Sequence, residues 1–327
     1  MVQRIVEQLP DTDYERHPAF RDQLRSLSSS ERIAALEQFL PLFHRNLESH
    51  IRYLDEFPPL KDEDAAALQS EVARRIHDDG ALSLAITDEE KHGLGRILAP
   101  TLDQLAKDRK AVPDSKRKFK HNAVGLKPHK VPELTSATEA ILRRTGALAG
   151  IEELLCAPVR IKRFAALIHD ETDQYHRNKF EEFGLPDPPT NGMHLDSPLD
   201  GPPVKALIYL SHVEPENGPF GYVLGTHRVS DTFDLCVRKT TDMLKMSRES
   251  FLALPREFRR KLNFGVDLLD GESEAAAVLL EREHQFLSSG GDLLLFDFNG
   301  VHRGGMVERG SRTTLQVVFE TKDDGDA

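Results

Sequence analysis

The chain has 327 residues, of which 39% are apolar, long enough for an elaborated globular fold that needs no disulfide staples. Asp and Glu outnumber Lys and Arg by 54 to 43, a formal charge of −11, which excludes a broadly basic nucleic-acid binder. Two cysteines, Cys156 and Cys236, with no CxxC spacing, exclude a disulfide framework or a thiolate zinc site and point to a reducing cytoplasm. The N-terminus is broken by charge before a signal-like run develops, and no segment is apolar enough to span a bilayer, so no membrane association is expected.

In chain order, the first third reads as helical. Ser28 and Glu31 form a capping box, and Ile33, Leu36, Leu40, Phe43, Leu47, Ile51 and Leu54 follow at helical spacing, with Pro41 expected to bend the helix and Pro58-Pro59 to end it. A second helix carries Leu68, Val72 and Ile76 and stops near Gly80. A third starts at Thr87, where Glu90 completes another capping box, and carries Leu94, Ile97, Leu98 and Leu105. His44, His50, His77 and His92 lie on or beside these helices without metal-like grouping. Lys107, Arg109, Lys110, Lys116, Arg117, Lys118 and Lys120 then crowd one segment, with Lys127 and Lys130 after it. This reads as a solvated loop over 107–130 or as an anion-attracting lip for an anionic substrate. A short helix follows around Ser136–Arg144.

From about residue 156 the pattern turns to strands. Val159–Ile168 is β-branched and apolar, and Val204–His212 alternates Val204, Ala206, Ile208 and Leu210 against Lys205, Leu207 and Tyr209. Between them, Asp187-Pro-Pro-Thr-Asn-Gly192 is rich in turn residues. Glu216-Asn-Gly-Pro219 is a turn, and Phe220–Leu224 returns as a strand. Residues 231–275 look like a helical, lid-like insertion. Strands resume at Ala277–Leu287, Asp292–Phe298 and Arg312–Glu320, where Thr313, Leu315, Val317 and Phe319 face one way. The expected organisation is α+β: a helical N-terminal region over 1–155 packed on a β core over 156–327.

Chemistry gathers at Met193-His194-Leu195-Asp196. In a strand, residues i and i+2 share a face, so His194 and Asp196 can both turn inward. A third ligand must come from elsewhere, and His302 is well placed. It follows Gly290-Gly-Asp-Leu-Leu-Leu-Phe-Asp297, a turn and a buried strand, with Asn299-Gly300 just before it. Two imidazoles and a carboxylate can hold one face of an octahedral iron(II) and leave open positions. Arg312 opens the last strand, and a bidentate guanidinium suits a carboxylate held at a fixed distance from a metal, as the distal carboxylate of 2-oxoglutarate must be.

The segment from about 156 to 320 resembles the phytanoyl-CoA dioxygenase-like branch of the iron(II)- and 2-oxoglutarate-dependent oxygenases. The resemblance rests on His194-Leu-Asp196, Glu216-Asn-Gly-Pro-Phe-Gly-Tyr-Val-Leu-Gly-Thr-His-Arg228, Gly291-Asp-Leu-Leu-Leu-Phe-Asp297, His302-Arg-Gly-Gly305 and Arg312. It implies a double-stranded β-helix (jelly-roll, cupin-like) core, Fe(II) held by His194, Asp196 and His302, 2-oxoglutarate anchored by Arg312, and O2 as oxidant. It further implies a dioxygenase that hydroxylates a small molecule and releases succinate and CO2, and Asp196 favours hydroxylation, desaturation or ring closure over halogenation. Gly225-Thr226-His227 resembles the family's Gly-Ser-His turn, a structural turn beside the pocket. Two features depart from the family: a long stretch between His194 and His302, attributed to the insertion, and Met193 where many members carry an aromatic. Arg163, Tyr175, His176, Arg177, Lys179 and Tyr209 are candidates to line the substrate pocket. Three other readings of the same residues are a cupin-type metal-dependent isomerase or hydrolase, a non-catalytic small-molecule-binding barrel, and a zinc hydrolase, the last of which leaves Arg312 unexplained.

Overall fold

A computed structural model describes residues 56–57, 62–117, 119–173, 192–194, 196, 201–228 and 274–322. The helix expected from Ser28 to Leu54 and residues 231–273 of the insertion expected over 231–275 lie outside them. The chain divides into two compact units: Met1–Pro58 with His176–Pro198 and Arg228–Glu283, and Pro59–Tyr175 with Leu199–His227 and His284–Ala327.

In the second unit, helices α1 (Asp62–Ala65) and α2 (Glu71–Asp79) precede strand β1 (Ala81–Ala85) and the long helix α3 (Asp88–Lys110). Ser70 caps α2, and Gly80 ends it in the left-handed region at φ 83°, where its N–H bonds Ile76 O. Thr87 and Glu90 form both halves of the capping box expected for α3, and the helix runs through the exposed Pro100. Then come β2 (Ala123–Leu126), α4 (Pro132–Arg144), α5 (Ala147–Leu155), β3 (Val159–Asp170), β4 (Val204–Tyr209) and β5 (Phe220–Val223). The described part of the first unit includes α6 (Glu274–Arg282), and β6 (Glu283–Phe286) lies in the second unit from His284 on. The second unit closes with β7 (Asp292–Asp297), β8 (His302–Gly304) and β9 (Ser311–Thr321). The strand expected over Ala277–Leu287 is therefore a helix in its first half. Ala-Ala-Ala-Val-Leu-Leu-Glu-Arg is dominated by strong helix formers, and no alternation opposes them.

Two antiparallel sheets form, one of six strands in the order β1-β7-β4-β9-β3-β2 and one of three in the order β6-β5-β8. Register sorts the large sheet into two faces. Val204, Ala206 and Ile208, Leu293 and Leu295, Leu315, Val317 and Phe319, and Phe164 and Ala166 join Val72, Ile76, Leu94, Leu98, Leu134, Ile141, Leu142 and Ile151 of the helices in one core. Each such aliphatic side chain contributes about 1.5–3 kcal/mol on burial, so this layer carries much of the stability. The alternate residues, among them Lys205, Tyr209, Phe296, His169, Arg312 and Thr314, lie on the opposite face. Tyr209 ties the two sheets together: its hydroxyl donates to Phe286 O at 3.0 Å and accepts from Phe220 N at 2.8 Å. Burial pushes that phenol up to about 12, so the donating proton stays in place.

Candidate metal centre

His302 opens β8, directly opposite Tyr222 of β5. The turn that delivers it is built by backbone amides. Asp297 N–H donates to Gly80 O at 2.7 Å, Gly300 N–H to Asp297 O at 3.1 Å, and Asn299 N–H to Asp297 Oδ1 at 2.8 Å. On the far side of this turn, Val301 N–H donates to Thr226 Oγ1 at 2.8 Å, and Val223 N–H to Val301 O at 2.9 Å. The Gly225-Thr226-His227 turn is therefore structural, holding the residue before His302. His227 itself, buried, donates from Nε2 to His77 O at 2.9 Å and so closes the last turn of α2.

The His302 ring is itself buried. It stacks on Tyr222 with centroids 6.3 Å apart and planes 12° from parallel, and Phe220 and Phe296 stand tilted against it at 5.7 and 5.3 Å. Its Nδ1 lies 2.8 Å from Gly300 O. A carbonyl can only accept, so Nδ1 carries the proton and the lone pair of the neutral ring sits on Nε2.

His194 is built the same way in the other unit: its Nδ1 lies 2.7 Å from Gly192 O, which puts the lone pair on Nε2 as well. Its Nε2 stands 3.7 Å from Asp196 Oδ1. Met193 is buried. His194, Asp196 and His302 each offer one ligand atom, and these atoms all lie within 4.8 Å of one another, a group that can hold a metal ion.

The sequence carries a signal for this arrangement that the HxD pattern alone does not express. Asn-Gly-x-His occurs twice, as Asn191-Gly-Met-His194 and Asn299-Gly-Val-His302, and in both copies the glycine carbonyl fixes the imidazole tautomer. Tyr222 and Thr226 have no such signal, since their roles arise from pairing between segments far apart in the chain.

Arg312 is buried at the start of β9, opposite His169, and donates from Nη1 to Gly305 O at 3.2 Å. Gly304 leaves room for its other nitrogen, Nη2, which lies 3.2 Å from where a Cβ would stand. Tyr209 shares this face, with its hydroxyl engaged as described. Arg163 is exposed and pairs with Val318, toward the other end of the β3–β9 pair from Arg312, so the two are not brought together. Tyr175, His176, Arg177 and Lys179 lie outside the described residues.

The basic segment divides. Arg109, buried in the last turn of α3, donates to Ile168 O and pairs with Asp170 at 2.9 Å and Asp173 at 3.3 Å. Arg117 pairs with Asp114 at 2.7 Å and donates to Thr172 Oγ1 and to the Arg109 and Val112 carbonyls. Burial raises the Asp173 carboxyl, against the opposing pull of Arg109. These two arginines clamp the end of β3, whereas Lys116, Lys120, Lys127 and Lys130 are exposed.

No family model matches the chain, and no curated protein matches it by sequence. Among solved structures it is similar to the non-heme α-ketoglutarate-dependent carbocyclase SnoK from nogalamycin biosynthesis, with 16% identity and a TM-score of 0.45 over 79% of this chain and 86% of that one. It is also similar to HygX from Streptomyces hygroscopicus with nickel and 2-oxoglutarate bound, at 16% and 0.42 over 78% and 88%. A third is EctD from S. alaskensis with 2-oxoglutarate and 5-hydroxyectoine, at 16% and 0.40 over 80% and 77%. No described helix is long and apolar enough to cross a membrane.

Proposed function

We propose that the chain is an Fe(II)- and 2-oxoglutarate-dependent dioxygenase that hydroxylates a small molecule, an anionic one by preference, with its two sheets forming a double-stranded β-helix of the phytanoyl-CoA dioxygenase-like kind. The observation that carries the reading is the His194, Asp196, His302 group, in which both imidazoles donate Nδ1–H to the carbonyl two residues upstream and so turn Nε2 to the same task. Two neutral imidazoles and one carboxylate form the facial donor set suited to iron(II). When bound, the metal and 2-oxoglutarate supply oxygen activation coupled to oxidative decarboxylation, which yields succinate, CO2 and oxidised substrate.

The protein's own part is binding and orientation. The box of Tyr222, Phe220 and Phe296 fixes the His302 plane and keeps water from its faces. Arg312, buried and hydrogen-bonded to Gly305 O, presents a planar donor edge to a carboxylate. An anionic group on the substrate would meet Lys116 and Lys120 rather than Arg109 and Arg117, whose charges Asp114, Asp170 and Asp173 offset.

The test is succinate formation from 2-oxoglutarate under air with added iron(II), together with the visible charge-transfer band of the anaerobic iron(II)–2-oxoglutarate complex, run against a substrate panel. Replacing His194, Asp196 or His302 by Ala should remove both signals. An Asp196→Ala protein that keeps them without added ligand would overturn the assignment. 2-Oxoglutarate-independent turnover would instead favour the cupin-type isomerase or hydrolase.

A further inference from the structure

We infer that Tyr222 is a positioning residue that holds His302 in its metal-binding tautomer, an inference that rests on the metal reading above. Tyr222 contacts the His302 machinery twice. Its ring lies nearly parallel to the imidazole of His302, its cross-strand partner. Its hydroxyl reaches past that ring and donates to Asp297 O at 2.9 Å, the carbonyl that also accepts Gly300 N–H. Tyr222 therefore pins the turn that carries Gly300, three residues on from Asp297, whose carbonyl accepts the His302 Nδ1–H.

The glycines record how closely the phenol is seated. A Cβ at Gly300 would fall inside van der Waals contact with the Tyr222 hydroxyl and its ring carbons, and a Cβ at Gly80 would meet the same hydroxyl and His227 Nδ1. Gly300 lacks a positive φ, so backbone conformation does not demand glycine there, and room for the phenol does.

The hydroxyl is not needed to satisfy Asp297 O, which already accepts an amide. Its removal orphans no buried acceptor, and its cost to folding is small. What is lost is a restraint on the turn, so Tyr222→Phe separates positioning from stability.

The experiment compares wild type, Tyr222→Phe and Tyr222→Leu in two measurements. One is cobalt(II) affinity by competition titration; the other is side-chain 15N shifts of His302 in the metal-free protein, assigned with His302→Ala. Wild type should show the Nδ1–H tautomer. Tyr222→Phe should show a mixture of tautomers and bind cobalt(II) about tenfold more weakly, within the range for a group that orients a ligand, with its melting temperature nearly unchanged. Tyr222→Leu should lose more affinity, and if it does not fold, the phenylalanine variant decides. Wild-type ring shifts and wild-type cobalt affinity in Tyr222→Phe would overturn the inference. A wild-type protein that takes up no cobalt(II) sinks the metal reading, and the ring-nitrogen shifts then decide the role of Tyr222 alone.

Discussion

At the scale of single residues, Arg312 permits the sharpest separation of binding from chemistry. Its guanidinium is buried and donates to a backbone carbonyl from one nitrogen, and its planar fork of donors matches the geometry of a carboxylate. Arg312→Ala should raise the KM for 2-oxoglutarate about 30- to 100-fold, the loss expected for a charge-assisted bidentate pair, and leave cobalt(II) affinity near wild type. An unchanged KM would remove the anchoring role. Arg312→Lys should recover only part of the loss, because a point charge does not reproduce the planar fork. His194, Asp196, His302 and Arg312 are all legible in the sequence because each is a rare chemistry on a patterned strand or turn. The partners that orient them are not. A carbonyl has no residue identity, and Tyr222 reads as an ordinary apolar strand position until β5 is paired with β8.

At the scale of elements, the two turns flanking β1 are set by different physics. Thr87 and Glu90 cap α3 reciprocally, and Arg144 of α4 holds the same carboxylate through two bonds of 2.6 Å. Those bonds, with the cap, hold Glu90 below its ordinary value near 4.5. A lowered acid favours the folded state above its unfolded value, and the benefit is lost as pH falls through the folded one. Glu90→Gln and Thr87→Ala should thus each cost about 1 kcal/mol at pH 7, and the glutamine variant's deficit should shrink as the pH drops below 4.5, which urea titration at both pH values would measure. The other turn depends on Gly80. Gly146 has a similar left-handed φ, 73° against 83°, but open space around its missing Cβ. Gly146→Ala should cost the conformational penalty alone, about 1 kcal/mol, while Gly80→Ala should cost more and weaken cobalt(II) binding, because it displaces Tyr222. Equal costs would mean that the phenol seat is soft. The capping box and the Gly80 stop are readable from the amino-acid order alone because they are local codes. β1 is not: Ala81-Leu-Ser-Leu-Ala85 has no β-branched residue and becomes a strand only because β7 offers it an edge. The four-residue β2 and the three-residue β8 are equally silent in the sequence, being too short to build a periodic signal.

At the scale of the whole molecule, the hydrophobic core and the proposed cosubstrate anchor draw on opposite faces of one sheet. Leu98 of α3 and Leu315 of β9 are fully buried in the shared core, whereas Arg312 and Tyr209 lie on the other side of the same strands. Alternation makes this division visible in the sequence of β4 and β9, whereas the helix layer that covers the first face is fixed by packing between distant segments. Leu98→Ala and Leu315→Ala should each lower the same calorimetric transition by roughly 5–15 °C, from a cavity cost of about 2–5 kcal/mol. A ligand that binds only the folded protein adds a term fixed by its concentration relative to its Kd, so cobalt(II) at a hundredfold its Kd should stabilise by about 2.7 kcal/mol. That increment should be the same in both leucine variants as in wild type, although their baselines differ. At the same cobalt(II) concentration it should fall in Tyr222→Phe and vanish in His302→Ala. 2-Oxoglutarate added on top of the metal should raise the transition further in wild type and not in Arg312→Ala. A core variant that lost the increment along with the baseline would show that the helix layer shapes the metal site itself, and that the two faces are not separable.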